Sequence, residues 1–154
     1  MAPRLQDEIR QTKPFASLEQ EALLSVERTA AVVRHKLGEE LKPLGVTPTQ
    51  YNVLRILRGA GPAGLCRNEI RDRLVAQVPD VTRLLDRMEE AGLIVRERDT
   101  VDRRLVTTRI TERGLHLLAR ADEQVSRFER AQVGHLAPAQ LRTLIDLLAL
   151  AREH

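Results

Sequence analysis

The residues of this chain best suited to chemistry are arginines, and the chemistry is recognition of anions and base edges rather than catalysis. In VTRLLDRMEEAGL, residues 81–93, Thr82, Arg83 and Arg87 stand out. Arg83 and Arg87 are four apart, so on a helix they share one face. A planar guanidinium matches the paired acceptors of guanine, and one such contact is worth about 1–3 kcal/mol of discrimination. Downstream, DTVDRR at residues 99–104 places Arg103 and Arg104 where they can reach phosphate or a minor groove. Asp102 is expected to orient one of them through a charge-assisted hydrogen bond. Gln50 and Arg67, with Thr47 and Thr49, stand at expected helix starts, where side chains and backbone amides bind phosphate. The plainer alternative pairs Arg83 or Arg87 with Asp86, Glu89 or Glu90 along the helix, and for Arg87 both readings stand open. Arg96 and Arg98 are read as solvating a strand.

Charge supports an anionic partner. Thirteen arginines and ten acidic residues fall between Arg55 and Arg113, while twelve basic and twelve acidic residues make the remainder neutral. The whole excess of +3 therefore sits on one segment, the footprint of a surface that touches nucleic acid. No nucleophile elbow, phosphate-binding glycine loop, paired catalytic His and Asp, or metal-ligand cluster is present, so the chain is read as not an enzyme and needing no cofactor. His35 and His116 lack a third ligand and make a poor zinc pair. The single cysteine, Cys66, excludes an internal disulfide and is read as ordinary packing beside Arg67. The first residues lack an apolar stretch and no run is long enough to span a bilayer, so no leader and no membrane partner are expected and the reading is cytoplasmic.

Elements must hold these arginines in place. Residues 1–14 are polar, carry Pro3 and Pro14, and read as a flexible arm. From Phe15 to about Leu41, Leu18, Ala22, Leu23, Val26, Ala30, Val33, Leu37 and Leu41 recur at helical spacing. Thr47, Pro48 and Gln50 spell a helix start with a capping box, and that helix runs to about Arg58, before the flexible GAGPAG at 59–64. Short helices over Arg67–Val75 and Pro79–Ala91 follow, with Asp80 as a cap and Gly92 at the exit. Together they spell a helix-turn-helix. Leu93–Arg98 and Leu105–Ile110 bound the polar tip and read as a hairpin, the wing. Helical spacing returns from Thr111 to about Val133, and Pro138 opens a last helix through Leu141, Leu144, Ile145, Leu148 and Ala151. Leu, Val, Ile and Ala must build the core, because aromatics are 2% of the chain.

The fold class is thus mainly α: a winged helix-turn-helix with a two-stranded β wing and long N- and C-terminal dimerisation helices. The expected division is a flexible arm over 1–14, a dimerisation helix and loop over 15–46, a DNA-binding lobe over 47–113, and dimerisation helices over 114–154. The terminal helices have wide apolar faces that suit an intertwined homodimer. The alternative is that they fold back on the monomer.

From Leu18 to Ala151 the chain resembles the MarR family of bacterial transcriptional regulators. VTRLLDRMEEAGLIVRERD and DRRLVTTRITERG carry the resemblance, and TPTQYNVLRIL adds to it. The resemblance implies a homodimer on double-stranded DNA, each recognition helix in a major groove and each wing on the neighbouring minor groove. A two-fold dimer calls for a pseudo-palindromic operator with half-sites about 10 bp apart. Three positions depart from the family pattern: Val101 replaces a wing arginine, Arg71 stands at a usually small position, and Val78-Pro79-Asp80 opens the recognition helix. The family also implies a small anionic or phenolic effector, for which Arg34, His35 and Tyr51 are the candidate cavity residues. The expected function is a homodimeric, sequence-specific repressor released by a small molecule or stress signal. The alternative is a winged-helix interaction or architectural DNA-binding module with no ligand switch.

Overall fold

A computed structural model describes residues 4–153, so Met1 to Pro3 of the expected arm, and His154, lie outside the described residues. Two compact units divide the chain, the first ending at Leu37 and the second beginning at Gly38. In the first, the stretch read as a loose arm carries one helical turn, α1 (Leu5–Glu8), in which the Arg4 carbonyl accepts from the amides of Asp7 and Glu8. Leu5 is buried, which gives this otherwise polar segment a reason to order. Helix α2 (Leu18–Leu41) starts three residues later than the apolar spacing suggests, because the Ser17 hydroxyl accepts from the Gln20 amide and caps it there. Its Leu18 and Leu23 are 80% and 63% exposed.

The second unit is built around α3 (Pro48–Ala60), which buries Tyr51, Val53, Leu54 and Leu57. The Thr47 box forms as expected: its hydroxyl accepts from Gln50 N, and Gln50 Oε1 accepts from Thr47 N, both at 3.1 Å. α3 runs two residues past Arg58. A 3-10 turn, Gly61–Ala63, and then Gly64 follow it. The GAGPAG stretch is therefore ordered rather than flexible. Leu65 forms a β-bridge to Thr108, donating at 3.0 Å and accepting at 2.8 Å.

Helix α4 (Arg67–Arg73) is two residues shorter than expected, since Leu74 turns extended and the Asn52 side chain takes the Val75 amide. Helix α5 (Val81–Glu90) begins two residues late, where the Asp80 carboxylate accepts from Arg83 N at 2.9 Å. At its exit Gly92 adopts φ +74°, its amide donates to Glu89 and that of Leu93 to Met88, so a Schellman motif ends the helix. Strands β1 (Ile94–Arg98) and β2 (Val106–Ile110) pair antiparallel from Ile94↔Ile110 to Arg98↔Val106, giving the expected wing. Thr111 then caps α6 (Glu112–Val133), and α7 (Pro138–Leu150) ends the chain's regular structure.

The core of this unit lies where α3, α5, β1 and the first half of α6 converge, with Leu54, Leu57, Ile70, Leu85, Met88, Ile94 and Leu118 at most 2% exposed. Each such side chain contributes roughly 1.5–3 kcal/mol relative to exposure. The second half of α6 and all of α7 bury nothing beyond Val125.

Candidate nucleic-acid interface

Helix α5 turns Val81, Leu85 and Met88 inward, a spacing of four and three that fixes which residues face out. Thr82, Arg83, Asp86 and Arg87 are all exposed. Two of the three carboxylates that could have paired with Arg83 and Arg87, those of Asp86 and Glu89, are taken by another element. From β1, Arg96 Nη2 donates to Asp86 at 2.5 Å and to Glu89 at 3.0 Å, while the Arg96 amide donates to the other Glu89 oxygen at 2.8 Å. Arg96, read from sequence as solvating its strand, is instead a clamp that fastens α5 to the wing. Among the described residues, no hydrogen bond or ion pair engages the guanidinium of Arg83, Arg87, Arg103 or Arg104, so all four present their full set of donors to solvent.

The wing tip is held by its own backbone. Asp99 Oδ1 accepts from the amides of Val101 and Asp102, which hold its carboxyl below the usual range, and Arg98 donates to the Arg103 carbonyl at 2.8 Å. Asp102 accepts from the Arg104 amide at 3.0 Å, so it orders the tip through main chain and not by gripping an arginine side chain, a correction to the sequence expectation. A short carboxylate two residues before an amide closes that local ring more readily than it reaches a long, mobile guanidinium. Val101 stands at the tip, 94% exposed.

An open groove of about 510 Å³ brings Arg67, Thr82 and Arg104 together with Arg96 and Arg98, from three different elements. At its edge Arg67 Nη1 donates to Thr82 Oγ1 at 3.1 Å, linking two residues expected to touch the same partner. Arg83, Arg87 and Arg103 stand outside the groove's lining. Gln50 does not join the set freely, because its carboxamide oxygen is committed to the Thr47 cap. Of the three expected cavity residues, Arg34 and His35 lie on α2 in the first unit. Tyr51 is buried on α3, and its hydroxyl donates to Asp122 at 2.7 Å. Burial first, then this carboxylate, pushes its pKa up to about 12. Cys66 is half-buried at the head of α4, where its amide donates to Glu69. Among the described residues no group of three or more His, Cys, Asp or Glu is placed to hold a metal ion, and no helix is long and apolar enough to cross a membrane.

The Arg96 clamp carries a stability prediction. Its side chain is 22% exposed, so the pairs are only partly screened. Arg96→Ala is expected to cost about 1–2 kcal/mol, the lower part of the range for hydrogen bonds to charged groups, read as a lower urea midpoint. The hydrogen bond from Arg96 holds the Glu89 carboxyl below the usual carboxylate range. A depressed folded value means this contribution is present above the unfolded pKa and is lost as pH falls through the folded one. The gap between wild type and Arg96→Ala should therefore narrow below about pH 4. An equal gap at neutral and acid pH would remove Glu89 from the account.

A family model described as MarR family matches residues 46–106, from the α3 cap to the wing. The HTH-type transcriptional regulator YkoM of Bacillus subtilis (strain 168), itself uncharacterised, is 34% identical over 125 residues, which are 80% of this chain and 79% of YkoM. A relative from Thauera aromatica is 32% identical over 104 residues, and the chain spans 61% of its length. Among solved structures, a MarR transcription factor from Planctomyces limnophilus is 39% identical with a TM-score of 0.68, over 89% of this chain and 99% of that one. The transcriptional repressor CouR, bound to a 23-mer DNA duplex, is 27% identical with a TM-score of 0.76, over 98% of this chain and all of that one.

Proposed function

The chain belongs to the MarR family of transcriptional regulators, and from that premise we propose that it is a homodimeric, sequence-specific DNA-binding repressor working in the cytoplasm and released by a small anionic or phenolic compound. One observation carries the DNA reading. Arg96 draws off Asp86 and Glu89, and among the described residues no hydrogen bond or ion pair reaches the guanidiniums of Arg83 and Arg87 on the helix or of Arg103 and Arg104 on the wing. A chain that evolved only to stabilise this lobe would gain by pairing them. Four exposed, unpaired guanidiniums on two adjoining elements suit a duplex, with α5 in the major groove and the wing beside it. The relative bound to a duplex adds to this reading.

The dimer reading rests on helices whose apolar faces stay exposed among the described residues. On α7, Leu144, Ile145, Leu147 and Leu150 are 41–63% exposed, and α6 adds Leu115 and Val133. Apolar surface of this extent is buried in a stable protein, and a second copy supplies the matching face. Residues 47–113 then serve as the DNA lobe, with 15–46 and 114–154 as dimerisation segments. A ligand releases DNA by favouring a dimer whose recognition helices no longer match the half-sites.

The test is binding of the purified protein to duplex from its own promoter region and to random duplex, across a salt series. Specific binding about 10³-fold or more above random duplex, with a protected palindrome, is expected. Weak binding that is equal on both and vanishes with salt would overturn the regulator reading.

A further inference from the structure

We propose that Asp122 is a positioning residue that sets the spacing between the two half-sites this regulator accepts, an inference that rests on the dimeric DNA-binding reading above. Asp122 lies midway along α6, between Ala121 and Val125 of that helix's buried row. Its two carboxylate oxygens are divided between two residues of α3. Oδ1 accepts from the Tyr51 hydroxyl at 2.7 Å and Oδ2 from Arg58 Nη1 at 2.5 Å.

Tyr51 and Arg58 are seven residues apart, two helical turns or about 10 Å along α3, yet they converge on one side chain. Apolar contact between two helices resists separation but is non-directional, and it tolerates small slides and rotations. A carboxylate pinned from both sides along the axis tolerates neither. The site is one-third exposed at Asp122 and closed by burial at Tyr51, and no other pair of side-chain hydrogen bonds among those described joins α3 to α6 through one residue. Around it, the Arg55 guanidinium stands 6.0 Å from the centre of the Tyr51 ring, and Glu129 lies two turns further along α6.

Position along α6 gives this clamp its consequence. The half of α6 before Asp122 packs into the DNA lobe, whereas the half after Val125 and all of α7 bury nothing within the chain. The junction between lobe and dimer segment therefore falls at this carboxylate. A rotation about it swings α5, and in a two-fold dimer the two recognition helices swing in opposite senses. One base pair more or less between half-sites is a shift of about 3.4 Å and a turn of about 35°. A lobe locked to its dimer helix must feel that change, and an unlocked lobe can follow it.

The experiment uses full-length wild type, Asp122→Ala, Asp122→Asn and Tyr51→Phe against the footprinted operator and versions lengthened or shortened by one base pair at the centre. Wild type is expected to lose roughly tenfold or more in affinity on either altered spacing, comparable to a mismatched base pair. The Asp122 variants are expected to bind the natural operator less tightly while losing less than about threefold on altered spacing, with Tyr51→Phe between. Tyr51→Phe keeps the ring and the Arg58 pair, so it reports even where the Asp122 variants fail to fold. A wild-type spacing profile in folded variants, or one uniform loss on every duplex, would show Asp122 to be structural only and overturn the inference. A wild type that prefers no duplex overturns the regulator reading itself, and this inference with it.

Discussion

Arg83→Ala is expected to erase the preference for operator over random duplex while leaving binding to random duplex nearly intact. Arg83 is the third residue of α5, and its amide is already capped by Asp80, so the first turn is rigid and its side chain projects from the leading end of the helix. Leading residues of a recognition helix are the ones that reach base edges. Each bidentate arginine contact discriminates by about 1–3 kcal/mol, and a two-fold dimer makes it twice, so the expected loss is about 2–6 kcal/mol, some 30-fold at least. Competition binding against both duplexes reads it directly.

Arg104→Ala supplies the contrast. Its backbone is fixed by Asp102 and its side chain lines the groove beside Arg67 and Thr82, a placement for phosphate. Losing it should weaken binding to every duplex alike and reduce the salt slope by about 1 per protomer. If both variants lose the same factor on all sequences, the division into base-reading helix and phosphate-binding wing is wrong.

The elements that carry these arginines were legible in the sequence because their determinants are local. A Thr-Pro-x-Gln start, an aspartate before an apolar helical row, and a glycine at the helix exit each act within a turn, and each appears where its spacing places it. What the sequence hid is carried by partners far apart in the chain. Asp86 has Arg83 three residues away, so helical spacing offers it the wrong partner, and it offers Glu89 no arginine at all. Only the chain reversal at Gly92 brings Arg96 of β1 back over α5. Asp122 is 71 residues from Tyr51 and 64 from Arg58, and no periodicity connects them. Asp102 misled for the opposite reason: a nearby main-chain amide outcompeted the more distant charge that its chemistry favours.

Gly64 is the strongest case of a long-range demand concealed in a segment that reads as flexible, and Gly64→Ala is expected to destabilise the chain by about 3–5 kcal/mol. Two independent costs act there. Its backbone sits at φ +66° and ψ −172°, a region nearly closed to residues with a Cβ, at about 1–3 kcal/mol. A Cβ would also stand 2.6 Å from the Thr108 carbonyl oxygen and 2.7 Å from Thr107 Cγ2, so β2 itself must move. Thr108 is the residue that Leu65 grips from both sides, and it is 1% exposed, which leaves the strand no room to retreat. The wing would shift at its root, carrying Arg103 and Arg104 with it, so operator affinity should fall alongside the urea midpoint. Gly59→Ala is the internal control: it lies on α3, at an exposed position with nothing within 4 Å of the added atom. Removing glycine's excess freedom there should stabilise by about 0.5 kcal/mol. If the two substitutions changed the midpoint alike, the wing would not be anchored through Leu65, and the order found in residues 59–64 would have no bearing on how the arginines are held.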